Sequence, residues 1–262
     1  MSATRADRIR QVTVTVAEIA CVVGTLYGSG LIGTPVEESI GGALSAEATL
    51  VAPAGPAFTI WSVIYLGLLA YTVWQWLPAV TARPVARRTG YLAGLSMLLN
   101  AAWLLVTQAG WIWASVVVIL ALAAVLGVLV RRVTPCARRT VAEQLVVHGT
   151  FGLYLGWVTV ASCANITAAL VASGVRPSFG VQQVLAVVVL LVAVALGVLL
   201  ARTLGARVGV AAAMAWGLAW IGVGRLIDPR SSVVAVVAFL AALAVVAAAF
   251  AVRRGTVARA AY

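Results

Sequence analysis

The chain contains no lysine: all 18 basic residues are arginine, set against seven acidic residues and a single histidine. Charge is scarce altogether, at 10% of residues, while 63% are hydrophobic, which excludes a soluble globular domain. Cys21, Cys136 and Cys163 show no paired spacing, so neither a disulfide nor a metal site is expected. No nucleophile with its base, no paired carboxylates, no cofactor fingerprint and no cluster of metal-ligating residues can be picked out. The sequence therefore nominates no catalytic residue and no cofactor, and an enzyme is the least supported class. Exclusive arginine usage with heavy Ala and Val suggests a GC-rich bacterial genome, hence a bacterial cytoplasmic membrane.

What the chain has in abundance is long apolar runs. Crossing about 30 Å of hydrocarbon takes roughly 20 apolar residues. On that measure spans are expected at 12–33, 57–78, 90–108, 111–130, 143–173, 181–201, 208–227 and 232–252. The expected fold is an all-α polytopic helical bundle of eight spans, with the lipid bilayer as its first partner. The N-terminal apolar run is long for a signal-peptide core and lacks a small-x-small cleavage site, so it is read as the first span.

The arginines fall on alternate connections. Arg5, Arg8 and Arg10, then Arg83, Arg87 and Arg88, then Arg131, Arg132, Arg138 and Arg139, then Arg202 and Arg207, and finally Arg253, Arg254 and Arg259 share one side; only Arg176, Arg225 and Arg230 fall on the other. By the positive-inside rule both termini are cytoplasmic, with residues 1–11 as a cytoplasmic N-terminus. The net charge of +11 is then a topology signal, and nucleic acid is not an expected partner.

Most connections are short, so neighbours are antiparallel. The exception is the external segment 34–56, with Glu37, Glu38 and Glu47 and no basic residue. Thr34-Pro35-Val36-Glu37 reads as a capping box opening a short surface helix. The segment is either a solvated linker or a lid over a cavity. Gly24 with Gly28, Gly90 with Gly94, and Gly152 with Gly156 allow close helix approach, which serves packing within one chain and contact in a homodimer equally well. Glu18 and His148 lie about two turns inside their expected spans. Each is either a partnered structural group or functional, Glu18 as a proton or cation site and His148 as a haem or metal ligand.

Three spans carry aromatic and amide side chains on one face: Trp61 with Tyr65, Asn100 with Trp103, and Tyr154 with Trp157 and Asn165. Lipid-facing positions are normally aliphatic, so these point to a bundle interior, where they either tie helices together or line a ligand cavity.

The segment Pro53-Ala54-Gly55-Pro56-Ala57-Phe58-Thr59-Ile60-Trp61-Ser62-Val63-Ile64-Tyr65 resembles the tryptophan-rich sensory protein family, the TspO/MBR or translocator-protein group. Leu98-Leu99-Asn100-Ala101-Ala102-Trp103 is similar to that family's Asn-x-x-Trp motif, and Tyr154 through Asn165 to its Tyr-x-x-Trp motif with a following Asn. Order and spacing agree over residues 12–174. Leu153 stands where short members usually have proline, and the short members end after five helices, so residues 175–262, with Trp216 and Trp220 on one face, resemble a larger branch.

The resemblance implies a five-helix domain over 12–174 carrying three further helices and a cytoplasmic tail over 175–262. It also implies a cavity under the loop that binds a tetrapyrrole (porphyrin-like) or other flat, lipid-like molecule. Trp61, Tyr65, Trp103, Tyr154 and Trp157 would line it, Asn100 and Asn165 would fix its shape, and the loop with Pro53 and Pro56 would be its lid. A sensor or receptor is the first functional reading. A secondary transporter coupled through Glu18 is the alternative.

Overall fold

A computed structural model describes residues 3–133, 140–205 and 207–260, the last five of these by backbone alone. Cys136, Arg138 and Arg139 lie outside the described residues. The long elements are all helical: α1 (Arg5–Gly28), α2 (Ile60–Trp74), α3 (Pro84–Gln108), α4 (Ile112–Val133), α5 (Val141–Ala172), α6 (Phe179–Leu204), α7 (Val208–Gly224) and α8 (Ser232–Ala260). No strand occurs among the described residues.

Among the described residues seven helices are long and apolar enough to cross a membrane, counting α2 together with the 3-10 turn Gly55–Thr59 that leads into it. The chain is an integral, multi-pass membrane protein. The remaining helix, α7, has 17 residues, about 26 Å at 1.5 Å per residue. Aliphatic side chains cover the outward faces, as Val12, Val16, Ile19 and Val23 do on α1 and Val184, Val188 and Leu191 on α6.

Helices α1, α3, α4, α5 and α2 close a ring, each packing on the next and α2 packing back on α1. Outside the ring α7 lies along α5, α8 along α7 and α6 along α8. Glycines set how closely these helices approach. A Cβ on Gly24 would sit 3.0 Å from the Ala101 Cα, and one on Gly152 would sit 3.4 Å from the Gly209 Cα, so backbone meets backbone across α1–α3 and α5–α7. Gly156 abuts the Val210 carbonyl directly. All three glycine pairs read from the sequence are thus used within the chain.

One end of the ring is fastened by polar groups. Asp7, 2% exposed, takes Arg10 Nη1 at 2.8 Å and accepts Nε and Nη2 of Arg87 at 2.8 and 2.7 Å. Arg10 Nη2 continues to the Thr81 carbonyl at 2.9 Å. Gln11 Nε2 reaches the Gln75 carbonyl at 2.7 Å and Thr81 Oγ1 at 3.0 Å, and Tyr71 and Thr89 share a hydroxyl contact of 2.7 Å. Arg83 pairs with Glu143 at 3.2 Å, which brings the start of α5 to this same end. Here α1 and α3 are tied by charge-assisted bonds, the strong kind in a dry interior, and α2 joins them through neutral hydrogen bonds.

Three sequence expectations change. Arg10, read as a loop charge that marks topology, is a buried structural residue, because Thr4 caps α1 in a capping box with Asp7 and starts the helix at Arg5 rather than at residue 12. That early start puts Glu18 about three and a half turns into α1, near its middle. No capping bond to Thr34 is seen among the described residues: the Val36 N–H bonds back to Gly28 O, Gln108 Nε2 donates to Thr34 O, and the chain makes one turn over Pro35–Ser39 and a second, left-handed one over Ser39–Gly42, with Ile40 at φ 54° and Gly41 at φ 62°. A segment pinned at both edges and passing through left-handed geometry cannot extend the helix that Thr34-Pro35 would open.

Candidate functional site

At the end of the ring opposite Asp7, α1 and α2 part. Between them lies a cleft of about 460 Å³. Its α1 wall is Thr25, Gly28 and Ser29, its α2 wall Trp61, Ser62 and Tyr65, its back Trp103 and Leu104 of α3, and its rim Pro35, Val36 and Glu37. The 3-10 turn that Pro56 opens sets Phe58 into the same cleft. Spacing explains the α2 wall: Trp61, Ser62 and Tyr65 are one and four residues apart and share a helical face.

The aromatic rings form one connected cluster. Trp61 stacks on Tyr65 with centroids 5.3 Å apart and planes 17° apart. Tyr154 and Trp157 meet Trp61 edge-on at 5.7 and 6.3 Å, and Phe58 meets Trp157 edge-on at 5.6 Å. Such offset and edge geometries suit the ring quadrupole and hold each ring without filling the space beside it. Two smaller voids continue from the cleft. One, of about 30 Å³, lies among Phe58, Trp61, Asn100, Trp103 and Trp157; the other, of about 60 Å³, lies under Ala43–Pro53 and reaches Asn165. Phe58 and Trp103 border all three spaces, so side-chain rotation at these two residues would join them.

Amides fix the rings. Asn100 Nδ2 donates to Tyr65 Oη at 3.1 Å and to Cys21 Sγ at 3.5 Å, joining α3 to α2 and α1. Trp103 Nε1 donates to Asn165 Oδ1 at 3.0 Å, and Asn165 Nδ2 donates to Ser115 Oγ at 3.0 Å, joining α3, α5 and α4. Some polar atoms here have no partner. Asn100 Oδ1, Trp157 Nε1 and Glu18 Oε2 are buried and unbonded. Buried polar groups usually find partners, so Asn100 Oδ1 and Trp157 Nε1, on residues that border the smaller void, are free to meet a bound molecule.

The structure brings all seven aromatic and amide residues named from the sequence into one cluster, but not into one wall. Trp61, Tyr65 and Trp103 line the cleft, and Trp157 borders the two smaller voids. Tyr154 stands behind Trp61, fully buried, with its hydroxyl donating to the Ser96 carbonyl at 3.4 Å. Pro53 borders the void under the loop, while Pro56 acts one step removed by placing Phe58. Sequence reasoning missed Thr25, Phe58, Ser62 and Glu37. Thr25 was discoverable, since it lies seven residues after Glu18 and four after Cys21 on one face of α1.

The loop is held from outside the ring. Arg225, fully buried at the end of α7, donates Nη1 to Thr49 O at 3.0 Å and Nη2 to Ala46 O at 2.9 Å. Trp216 Nε1 donates to Ala57 O at 2.9 Å, and the Ala54 N–H donates to Trp220 O at 3.2 Å. Residues 46–57 therefore rest on α7. Arg225, counted at first as a topology charge, is the principal anchor.

A second cleft of about 490 Å³ lies between the end of α5 and the start of α6, with Leu170, Val171, Leu185 and Val189 as walls and exposed Arg176 at its mouth. It contains no aromatic ring. Among the described residues no group of three or more His, Cys, Asp or Glu could hold a metal ion, and His148 lies on the π-helical segment Gln144–Gly149 that begins α5.

The profile of a family described as TSPO-like protein matches residues 12–251, running through the five-helix ring and the three helices beyond it. No curated protein and no solved structure matches the chain. The match covers most of the sequence, and the chain belongs to the TSPO-like family.

Proposed function

We propose that this member of the TSPO-like family is a ligand-binding membrane protein, a receptor or sensor, whose α1–α2 cleft takes a flat, largely apolar small molecule. The observation that carries this reading is the cleft itself. It has the volume of a small-molecule site and four aromatic rings with only a few polar groups, the usual composition of such sites. Tetrapyrrole and lipid-like molecules, suggested by the family resemblance, both meet the requirement of shape. Trp61, Tyr65 and Trp103 would contact the ligand, Tyr154 and Trp157 would hold those rings in place, and Asn100 and Asn165 would fix the spacing of the helices. Both termini would be cytoplasmic, with the cleft opening on the outer side under the 34–56 loop.

The test is saturable quenching of tryptophan fluorescence by a flat aromatic probe in lipid nanodiscs. Trp61→Ala should weaken binding at least about tenfold, the loss expected when a stacked ring is removed from a desolvated site. Unchanged affinity in a folded Trp61→Ala variant would move the site elsewhere. Orientation is tested separately: single cysteines at Glu38 and Pro84, with the native cysteines removed, should label from opposite sides of the membrane.

One observation favours a second reading, a secondary transporter. Glu18, 5% exposed and near the middle of α1, lies between the cleft and the polar lock at the Asp7 end, where Thr72 Oγ1 and Gln75 Oε1 are also buried and unbonded. Intramembrane carboxyl groups of this kind often mark ion or proton paths. Gradient-driven uptake in proteoliposomes that Glu18→Gln abolishes would establish transport; no uptake by the wild-type protein would remove it.

A further inference from the structure

The charge around the cleft narrows the class of ligand, an inference that rests on the cleft being the binding site. Among the described residues Glu37 is the sole charged one in the cleft walls, and no arginine or histidine borders the cleft or its two side voids. Glu38 follows Glu37 on the rim, and the whole 34–56 segment lacks a basic residue. Among the described residues neither Glu37 nor Glu38 forms an ion pair. Inside the cleft, four aromatic rings present faces and edges, and the face of an aromatic ring carries negative electrostatic potential. Below, on the same face of α1 as Thr25, lies the buried carboxyl group of Glu18 with an unbonded oxygen.

We propose that the cleft is a site for an organic ammonium ion attached to a flat ring, with the ring against Trp61 and Trp103 and the ammonium group on the Glu37 side. A carboxylate-bearing ligand would enter beside Glu37 with no arginine to receive it. It would lose water from its charge and gain no counter-charge in return. A cation meets the opposite situation: ring faces attract it as it desolvates, and the rim carboxylate draws it in. Shape alone admits tetrapyrroles, but those with free carboxylates face the wrong sign of potential.

The experiment uses the full chain in phosphatidylcholine nanodiscs, which carry no net charge, with empty nanodiscs subtracted. Three isosteric probes are compared: 9-anthracenemethylammonium, 9-anthracenemethanol and 9-anthracenecarboxylate. Their shared ring accepts energy from tryptophan, so binding is read as saturable sensitised emission. The ammonium probe should bind about tenfold more tightly than the carboxylate at low salt, the size expected from a cation–π contact plus one partly screened carboxylate. Raising salt to 0.5 M should shrink that ratio, since the rim is solvated. Glu37→Gln, at an exposed position, should bring the ammonium-to-alcohol ratio toward one. A carboxylate that binds as well as the ammonium probe, or a Glu37→Gln change that shifts all three alike, overturns the assignment of charge and leaves the cleft standing. No saturable signal from any probe overturns the cleft as a binding site.

Discussion

The two ends of the five-helix ring use similar material to opposite ends. At the Asp7 end, arginine, glutamine, tyrosine and threonine interlock until α1, α2 and α3 share one hydrogen-bonded network. At the loop end, tryptophan, tyrosine and asparagine are equally close together, yet cavities remain among them; buried polar atoms without a partner occur at both ends, Arg10 Nε and Gln75 Oε1 at the first, Asn100 Oδ1 and Trp157 Nε1 at the second. A satisfied network fixes a fold, because each broken bond strands a buried group. What sets the loop end apart is the space beside its rings and amides, which a small molecule could enter. Locating a site in this bundle therefore means finding the end where packing leaves room beside the polar groups.

The comparison is broken most forcefully at Asp7. Asp7→Asn leaves Arg10 buried without a counter-charge, and should cost about 3–5 kcal/mol, as breaking a buried ion pair does. The thermal midpoint in detergent should drop sharply; a midpoint within a degree or two of wild type would show that the Asp7 end is no lock. Next comes Gly156→Ala, which drives a methyl group into the Val210 carbonyl and should cost about 1–3 kcal/mol by overpacking α5 against α7. The same midpoint measures it, and Gly127→Ala, which meets nothing within 4 Å, serves as the control.

At the loop end the pattern should reverse, with binding lost before stability. Phe58→Ala enlarges the cleft and removes one ring contact, so affinity for a flat probe should fall by about 1 kcal/mol, roughly fivefold, while the midpoint moves little. A large loss of stability with binding intact would make the aromatic cluster a second lock. The smallest effect is expected at Arg225. Arg225→Gln releases two carbonyl contacts, and hydrogen exchange of residues 46–49 should quicken several-fold, on the order of 1 kcal/mol of local protection in all. Unchanged exchange would mean that the loop holds itself.

How much of this could be read beforehand depends on the range of the interaction. The spans were legible because an apolar run long enough to cross a bilayer is a local property. The aromatic face of α2 was legible for the same reason, since Trp61 and Tyr65 are one turn apart. Arg10 and Arg225 were not. Arg225 is held by Thr49, 176 residues away in sequence, and Arg10 by Thr81, 71 residues away, as well as by Asp7 beside it; only the Thr4–Asp7 capping box was a local signal for Arg10, and counting charges by loop assigned both arginines to solvent. The expected helix after Thr34 failed for a related reason: its local cap signal was outweighed by contacts from Gly28 and Gln108 on two other helices. Tyr154 shows the limit of a shared face, since residues on one stripe of a helix can stand at different depths in a cluster.

The bonds between α7 and the loop also have a temporal side. Synthesis runs from the N-terminus, and the indole that donates to the Ala57 carbonyl lies 159 residues downstream, the guanidinium that donates to the Thr49 carbonyl further still. The ring can be inserted and closed while residues 46–57 still have nothing to rest on. The cover of the void under Ala43–Pro53 is thus anchored only after the ring is complete, and a ribosome that stalls before α7 would leave a five-helix ring in the bilayer with that cover unsupported.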